Sequence, residues 1–443
     1  MRHAELRKSI GFIAATSLVI GTVIGSGIFV KPGVVITAAG DSTMALWAWI
    51  IGGIITLASG LTIAEVSVKI PKTGGLYVYV EKVYGKFWGF LCGWVQTIIY
   101  GPAVIGALGL YFGSLFAGVF GFSKQTETWI GILAVLFLAL INMLGTQYGG
   151  AVQSLLTLAK LLPIFLIIVF GMFQGDVPVF GMKSESSQAI SMGAAVLATL
   201  WAYDGWMNVG FVAGEMKNPA KTLPKAIITG IVIVMLCYLA VNIALLHVLP
   251  ASKIVELGPN AAKEAAALLF GGVGGKMVAI GILISIFGCL NGKILTFPRM
   301  PFAMAEDRLF PGARFFSRVH PTFHTPVQAT VLQAAIAVAM MLMTSPDRLT
   351  DIAIFSVFSF YGLAFYAVFL LRKNQKPDHS LYKVPLYPVT PIVAIAGALY
   401  IIGSTVIHQP FDAFLSVLIT LSGIPVYWSL TTKQKDKTAK QAS

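Results

Sequence analysis

Two charged residues lie inside long apolar segments of the sequence. Asp204 occurs in LATLWAYDGWMNVG and Lys160 in LLTLAKLLPIF. An ionised side chain near the middle of a bilayer costs about 2.5–3.5 kcal/mol on insertion scales, so such a residue is expected to face a hydrated cavity or a partner. Lys160 could alternatively extend to place its ammonium at the membrane interface. Together the two residues indicate a polar site within an apolar protein.

Two of the apolar segments are interrupted by glycine. Gly25-Ser26-Gly27 divides VIGTVIGSGIF, and Tyr203-Asp204-Gly205 divides the segment around Asp204. Irregular backbone at membrane depth is tolerated only where it faces protein or water, and it frees N–H and C=O groups that could bind a ligand. The alternative for the first interruption is close helix packing. Interruptions at matching positions of two repeated halves predict a transporter site.

The composition of the chain identifies the environment of these segments. Of the 443 residues, 57% are hydrophobic and 11% are charged, whereas soluble domains carry about 25% charged residues. The net charge of +13 could indicate nucleic-acid binding, but the basic residues lie in short loops between apolar runs, as in membrane proteins. The apolar run at 10–30 is long for a secretory signal and is interpreted as the first spanning helix.

The apolar segments that reach about 20 residues, the length that crosses a bilayer, define the predicted spans. We predict twelve of them, at residues 10–36, 43–66, 85–117, 128–147, 150–174, 189–214, 225–249, 272–296, 326–344, 350–371, 386–407 and 411–430. The fourth and fifth are separated only at Gly149-Gly150.

The distribution of basic residues predicts the orientation of the chain. They are concentrated at the N-terminus (Arg2, Arg7), in alternate loops and in the tail, and Lys293 and Arg299 are assigned to the loop after the eighth span. Because cytoplasmic loops carry the excess of Lys and Arg, both termini are expected in the cytoplasm, with the chain crossing the cell (inner) membrane many times.

One transmembrane transporter domain is predicted over residues 1–430. It divides into repeat one at about 10–174, repeat two at about 189–371, and two further helices at about 386–430. The polar stretch 431–443 predicts a disordered cytoplasmic tail.

Four motifs resemble those of the amino acid–polyamine–organocation superfamily, and specifically its L-amino acid transporter family. They are VIGTVIGSGIFVKPG, IPKTGGLYVYVEKVYG, AYDGWMNVGFVAGEMKNPAKTLPKAI and FGCLNGKILTFPRMPFAMAED, in the family's order. The resemblance implies an all-α integral membrane fold of twelve transmembrane helices. It also implies a LeuT-like 5+5 inverted repeat with helices 1 and 6 broken. The implied function is sodium-independent exchange of small neutral L-amino acids such as serine, threonine and alanine.

An amino acid zwitterion needs donors for its carboxylate and acceptors for its ammonium. The free N–H groups and positive dipole end of a half-helix at Ser26 and Gly27 suit the carboxylate, and Gly25 provides the turn. The resemblance implies that the carbonyls of Val23, Trp201 and Asp204 accept from the ammonium. Tyr203 and Gly205 complete the second interruption.

Two of these residues carry further expectations. The resemblance implies that the Trp201 ring covers the substrate, although the position also suits an ordinary packing aromatic. Asp204 departs from the eukaryotic relatives, which commonly have glycine there. Its carboxylate favours small or hydroxylated substrates, and its side chain could replace its carbonyl in binding.

Lys160 is the residue that bears on ion coupling. The resemblance implies that its ammonium stands where sodium-coupled relatives bind an ion, and that it bridges helix 1 near Gly21 and helix 8 near Ser285. A buried lysine can also titrate, so proton-coupled symport with Lys160 as the proton site remains the alternative.

Other classes of function are disfavoured by what the sequence lacks. The six histidines lie mostly in predicted loops or helix ends, without a His/Cys metal cluster or a paired catalytic constellation, so we expect no enzyme, cofactor or metal. No filter-like pattern predicts a channel. The loop GFSKQTETW has no cysteine, so no disulfide-linked ancillary subunit is expected. Asn142 and Asn242 are expected between helices, and Asn208 and Asn291 near the pocket.

Overall fold

The fold was analysed in a computed structural model that describes residues 8–70, 74–184, 190–374, 381–408 and 410–442. Within these ranges the ordered structure is helical, and the β-type pairings are two isolated bridges, Ile10 with Met216 and Asp41 with Lys183. The N-terminal Arg2 and Arg7 and motif residues 71–73 lie outside the described ranges.

The described chain forms α-helices of very different lengths. In chain order they are α1 Phe12–Val23, α2 Gly27–Ala39, α3 Ser42–Lys69, α4 Leu76–Tyr84, α5 Lys86–Val95, α6 Gly101–Phe120, α7 Glu127–Met143, α8 Thr146–Gln174, α9 Met192–Ala202, α10 Pro219–Val248, α11 Ala251–Leu257, α12 Ala261–Thr296, α13 Arg299–Glu306, α14 Ala313–Phe316, α15 Val327–Met343, α16 Pro346–Asn374, α17 Val389–His408 and α18 Pro410–Ala442. A π-helical turn, Gln96–Tyr100, joins α5 to α6, and a 3₁₀-helix, Trp206–Glu215, follows α9.

Most of the long helices have the length and hydropathy of membrane spans. In the described residues, nine helical segments meet both criteria, and α1 with α2 form a tenth that is bent by 44°. The predictions of an all-helical, multi-pass membrane protein are therefore confirmed. The predicted sixth and ninth spans correspond to shorter elements, since α9 has 11 residues before its 3₁₀ continuation and α15 has 17.

Three predicted boundaries differ from the structure. The fourth and fifth spans separate at Gly145, whose φ of 145° favours glycine, and not at Gly149-Gly150. The helix of the eighth span already begins at Ala261 and changes direction at Gly271. The last helix continues through the predicted disordered tail as far as Ala442, because its Lys, Gln and Ala residues favour helix; Ser443 lies outside the described residues.

The halves of the two broken helices pack crosswise in the centre of the molecule. The second half of the first, α2, packs on the first half of the second, α9, and α1 packs on the 3₁₀-helix Trp206–Glu215. Helices α8, α10 and α12 also pack against α1. The two interruptions are thereby brought together and enclosed by three long helices.

Buried amides join the helices around this centre. Asn142 donates to Asn291 and Asn291 donates to Gln153, each at 2.9 Å, which links α7, α12 and α8. Asn242 donates to the Tyr238 carbonyl one turn earlier. Asn291 therefore serves this network, and it is not among the residues that line the cavity described below, contrary to the prediction.

The chain just before α1 pairs with the end of the second broken helix. The N–H groups of Ser9 and Ile10 both donate to the Glu215 carbonyl at 3.0 Å, and the Lys217 N–H donates to the Ile10 carbonyl at 3.1 Å. The Glu215 carboxylate accepts from Arg299 at 2.9 Å, with both side chains almost fully buried. Arg299 is thus a structural ion-pair partner and not the solvated loop residue that was predicted.

Candidate functional site

The first interruption separates α1 from α2 at residues 24–26. None of the N–H groups of Gly25, Ser26 and Gly27 donates to a backbone carbonyl within the described part of the chain. They stand at the N-terminal end of α2, where the helix dipole is positive. This end can therefore bind an anionic group, as predicted for a carboxylate.

The carbonyls at the same interruption already have side-chain donors from other helices. Lys160, from α8, donates to the Gly21 carbonyl at 2.9 Å and also to that of Ile24. The Ser285 hydroxyl, from α12, lies 3.4 Å from the carbonyls of Ile24 and Gly25. These contacts satisfy backbone groups that the missing helical turn would otherwise leave unpaired.

Two more donors complete this arrangement. Cys289 donates to the Thr22 carbonyl at 3.1 Å. The Tyr238 hydroxyl, from α10, lies 3.1 Å from the Val23 carbonyl and 2.9 Å from that of Ala202. A carbonyl oxygen has two lone pairs, so Val23 retains capacity for a second donor such as an ammonium.

The second interruption is a short irregular segment at residues 203–205. Gly205 has a φ of 119°, and a Cβ at this position would lie 2.5 Å from the Thr22 carbonyl oxygen. Both features require glycine. The Thr22 hydroxyl lies 3.0 Å from the Gly205 carbonyl and 2.7 Å from the Leu18 carbonyl of its own helix, so its one proton is shared between them and the two interruptions are in direct contact.

A small cavity, with about 30 Å³ of space for water-sized molecules, lies between the two interruptions. Its walls combine backbone of both interruptions with side chains of α6, α9 and α12. The lining residues are Thr22, Val23, Gly25, Ser26, Gly27, Val104, Leu108, Trp201, Ala202, Asp204, Cys289 and Lys293.

A buried carboxylate and a buried ammonium face each other in this cavity. The Asp204 Oδ2 accepts from the Tyr100 hydroxyl at 2.8 Å and lies 3.7 Å from the Lys293 Nζ. The Lys293 ammonium also lies 5.5 Å from the centre of the Phe297 ring. Because opposite charges are paired, the polar wall has no net charge.

Lys293 was missed as a site residue. The predicted eighth span, residues 272–296, already includes Lys293, but the prediction counted this lysine with the cytoplasmic loop that follows. In the structure it lies within α12, which ends at Thr296, and its side chain is only 2% exposed. The apolar residues that follow in KILTF are the sequence signal that could have placed it inside the helix.

The predicted substrate residues divide into two groups. Six of them line the cavity: Val23, Gly25, Ser26, Gly27, Trp201 and Asp204. Tyr203 does not, because its hydroxyl lies 3.3 Å from the Trp49 carbonyl and its ring packs on those of Trp49 and Tyr238. Gly205 lies beside the cavity and shapes its backbone.

The predicted contacts of Lys160 are present in part. Its ammonium is fully buried and donates to Gly21 as expected. On the α12 side it lies against Gly288, where a Cβ would be 3.4 Å from its Nζ, while Ser285 reaches helix 1 separately. Lys160 therefore lies between the two predicted helices without a hydrogen bond to Ser285 among the described contacts. It is not a lysine with its charge at the interface.

The predicted neighbour Asn208 is fully buried in the 3₁₀-helix, but it is not among the cavity-lining residues. Among the described residues, no three His, Cys, Asp or Glu side chains are grouped closely enough to hold a metal ion. The chemistry available in the cavity is thus hydrogen bonding and charge pairing.

Comparison with known proteins identifies the family of this chain. Residues 10–430 match the amino acid permease family. The chain belongs to this family. It is 56% identical to the serine/threonine exchanger SteT of Bacillus subtilis, over 98% of this chain and 99% of that protein. It is 31% identical to the human large neutral amino acids transporter small subunit 2, over 96% and 80%, and 28% identical to the human cystine/glutamate transporter, over 96% and 85%.

These relatives confirm the predicted resemblance to the amino acid–polyamine–organocation superfamily and its L-amino acid transporter family. The predictions of an amino acid transporter, and not an enzyme, are likewise confirmed. The cavity between the two interruptions is the candidate site of this permease.

Proposed function

We propose that this permease is a sodium-independent exchanger of small neutral L-amino acids such as serine, threonine and alanine, and that it works by alternating access. The identity of 56% to a serine/threonine exchanger over nearly the whole of both chains supports exchange and the substrate class. In this proposal the cavity binds one amino acid at a time and opens to either side of the cell membrane in turn.

The observation that carries the proposal is that one cavity is lined both by backbone N–H donors and by backbone carbonyl acceptors. The unpaired N–H groups of Gly25, Ser26 and Gly27 suit an α-carboxylate. The carbonyls of Val23, Trp201 and Asp204 suit the ammonium. Because the Asp204–Lys293 pair is neutral, a zwitterion adds no net charge to the buried site.

The contacts of Lys160 support independence from sodium. Its ammonium donates to the Gly21 and Ile24 carbonyls, so a fixed cation already satisfies the backbone oxygens that an ion would otherwise coordinate. The same observation favours the second candidate, proton-coupled symport. Lys160 is fully buried, and among the described residues no carboxylate forms an ion pair with it. Loss of its proton would therefore leave no partner carboxylate with an unopposed charge.

The finer architecture belongs to the same proposal. Twelve spans in a LeuT-like 5+5 inverted repeat are supported by the two matched interruptions and by the crosswise packing of α2 on α9 and of α1 on the 3₁₀-helix. Both termini lie in the cytoplasm, as the basic residues of the N-terminus and tail suggest. A disulfide-linked subunit is not part of the proposal, since the loop at residues 121–127 has no cysteine.

Purified protein in liposomes tests the function. Uptake of labelled serine is expected to require internal serine and to be the same with external Na⁺ or K⁺. Uptake into empty liposomes driven by a proton gradient would replace exchange with the symport alternative. Stimulation by a Na⁺ gradient would contradict the role given to Lys160.

A further inference from the structure

The two oxygens of the Asp204 carboxylate have different surroundings. Oδ2 accepts the Tyr100 hydroxyl and lies near the Lys293 ammonium. Oδ1 is buried and has no hydrogen-bond partner within range in the described structure, although Asp204 lines the cavity and the Tyr361 hydroxyl lies near its carboxylate. An unsatisfied buried acceptor destabilises the protein, and a donor that enters the cavity would recover that loss.

The chemistry of a carboxylate restricts what Oδ1 can bind. An ionised carboxylate only accepts hydrogen bonds, so its ligand must provide an N–H or O–H group. In a neutral amino acid the available donors are the α-ammonium and, in serine or threonine, the side-chain hydroxyl. Alanine and valine have only the first.

The charges around Asp204 favour the hydroxyl. The Lys293 ammonium already opposes the carboxylate charge at 3.7 Å, and a second ammonium at the same carboxylate would lie close to a like charge. The ammonium has alternative acceptors in the backbone carbonyls of the interruptions, including the one at Val23. The cavity wall also includes Val104 and Leu108, which offer no polar group to a hydroxyl.

We propose that the Oδ1 of Asp204 accepts a hydrogen bond from the β-hydroxyl of the substrate and thereby makes Asp204 a specificity-determining residue for serine and threonine. This inference rests on the proposed exchange function. Hydrogen bonds to charged groups correspond to a factor of about ten to a hundred in affinity. Threonine is therefore expected to bind about ten- to a hundredfold more tightly than valine, which has nearly the same shape but no hydroxyl.

Competition measurements on the intact wild-type protein provide the first test. Serine, alanine, threonine, valine and 2-aminobutyrate compete with labelled serine for exchange, and their affinities for the detergent-purified protein are measured by thermal shift. Equal affinities for threonine and valine would overturn the proposal. Absence of exchange with every amino acid would instead refute the proposed function and is distinguishable from loss of selectivity.

A double variant provides the second test. Asp204→Leu with Lys293→Met removes the acceptor and its opposing charge together, so no unpaired charge stays buried. The threonine-to-valine ratio of affinities is expected to fall to about one, with valine binding retained. If both affinities fall by the same factor, Oδ1 binds the ammonium and the proposal is wrong.

Tyr100→Phe serves as the matched control. It removes the hydrogen bond to Oδ2 and leaves Oδ1 in place, so the affinities can change but the threonine-to-valine ratio should persist. If the double variant does not fold, the ligand series on the wild-type and Tyr100→Phe proteins still tests the proposal. A threonine-to-valine affinity ratio near one in the wild type would overturn it.

Discussion

The two interrupted helices are stabilised in different ways. At the first, donors from α8, α10 and α12 satisfy the carbonyls of residues 21–25, so its geometry depends on side chains remote in sequence. At the second, the geometry depends on one glycine conformation and on a short contact with Thr22. The comparison suggests that the first interruption is adjustable through several separate contacts, whereas the second depends on a single position.

Gly205→Ala is the change with the largest expected effect on this comparison. The added Cβ would lie 2.5 Å from the Thr22 carbonyl oxygen, and the φ of 119° is strained for alanine. Strain of this kind costs about 1–3 kcal/mol before the steric overlap is counted. We expect almost complete loss of exchange and a lower Tm. Gly403→Ala is the control, because a Cβ there meets no atom within 4 Å. Wild-type exchange by Gly205→Ala would contradict the account of the second interruption.

Lys160→Ala should have the next largest effect, on the first interruption. It removes the charge-assisted hydrogen bonds to Gly21 and Ile24. A loss equivalent to one such bond, about 1.5–3 kcal/mol, corresponds to about a ten- to hundredfold fall in exchange, while the protein should still insert. Apparent affinity should change differently on the two sides of oriented liposomes, because the balance of inward- and outward-facing states shifts.

The control for this change is Lys253→Ala, which removes an exposed lysine paired only with Glu256 in the described structure. Protein recovery reports folding for both variants. Transport by Lys160→Ala at the wild-type rate from both sides would show that Lys160 is a packing residue.

Tyr238→Phe tests a weaker contact of the first interruption. Its hydroxyl shares one proton between the carbonyls of Val23 and Ala202, so its loss removes about 1 kcal/mol and should lower exchange about fivefold. Tyr366→Phe, at a half-exposed tyrosine, is the comparison variant. An unchanged rate in Tyr238→Phe would mean that the two carbonyls find other donors.

Ser285→Ala should have the smallest effect. The hydroxyl lies 3.4 Å from the carbonyls of Ile24 and Gly25, near the limit of a hydrogen bond, while Lys160 already donates to Ile24. Exchange kinetics within about twofold of wild type are expected. A tenfold loss would instead indicate that Ser285 contributes directly to substrate or ion binding.

The interruptions could be predicted from the sequence because their signals are local. Glycine pairs and an acidic residue inside apolar runs locate both, and six of the eight predicted substrate residues line the cavity. Tyr203 does not line the cavity, because the direction of its side chain depends on the neighbouring helix, where Trp49 provides both an acceptor and a ring.

The remaining cavity residues could not be predicted from local patterns. Val104 and Leu108 are ordinary apolar positions of α6, and only tertiary packing places them in the wall of the cavity. Lys293 lay too near a predicted helix end, where a lysine usually contacts solvent. A buried charged residue near the end of a predicted helix, such as Lys293, is therefore easily mistaken for a loop residue.

The pairing of Ser9 and Ile10 with residues 215–217 has a mechanical consequence. Because this short ladder and the contact between Thr22 and Gly205 hold α1 to the 3₁₀-helix at both ends, we expect the two elements to tilt together. The two half-helices are expected to move together as one rigid body, over one energy barrier. Spin labels on each half should then report distance changes with the same rate. Two separate rates would show that the two half-helices move independently.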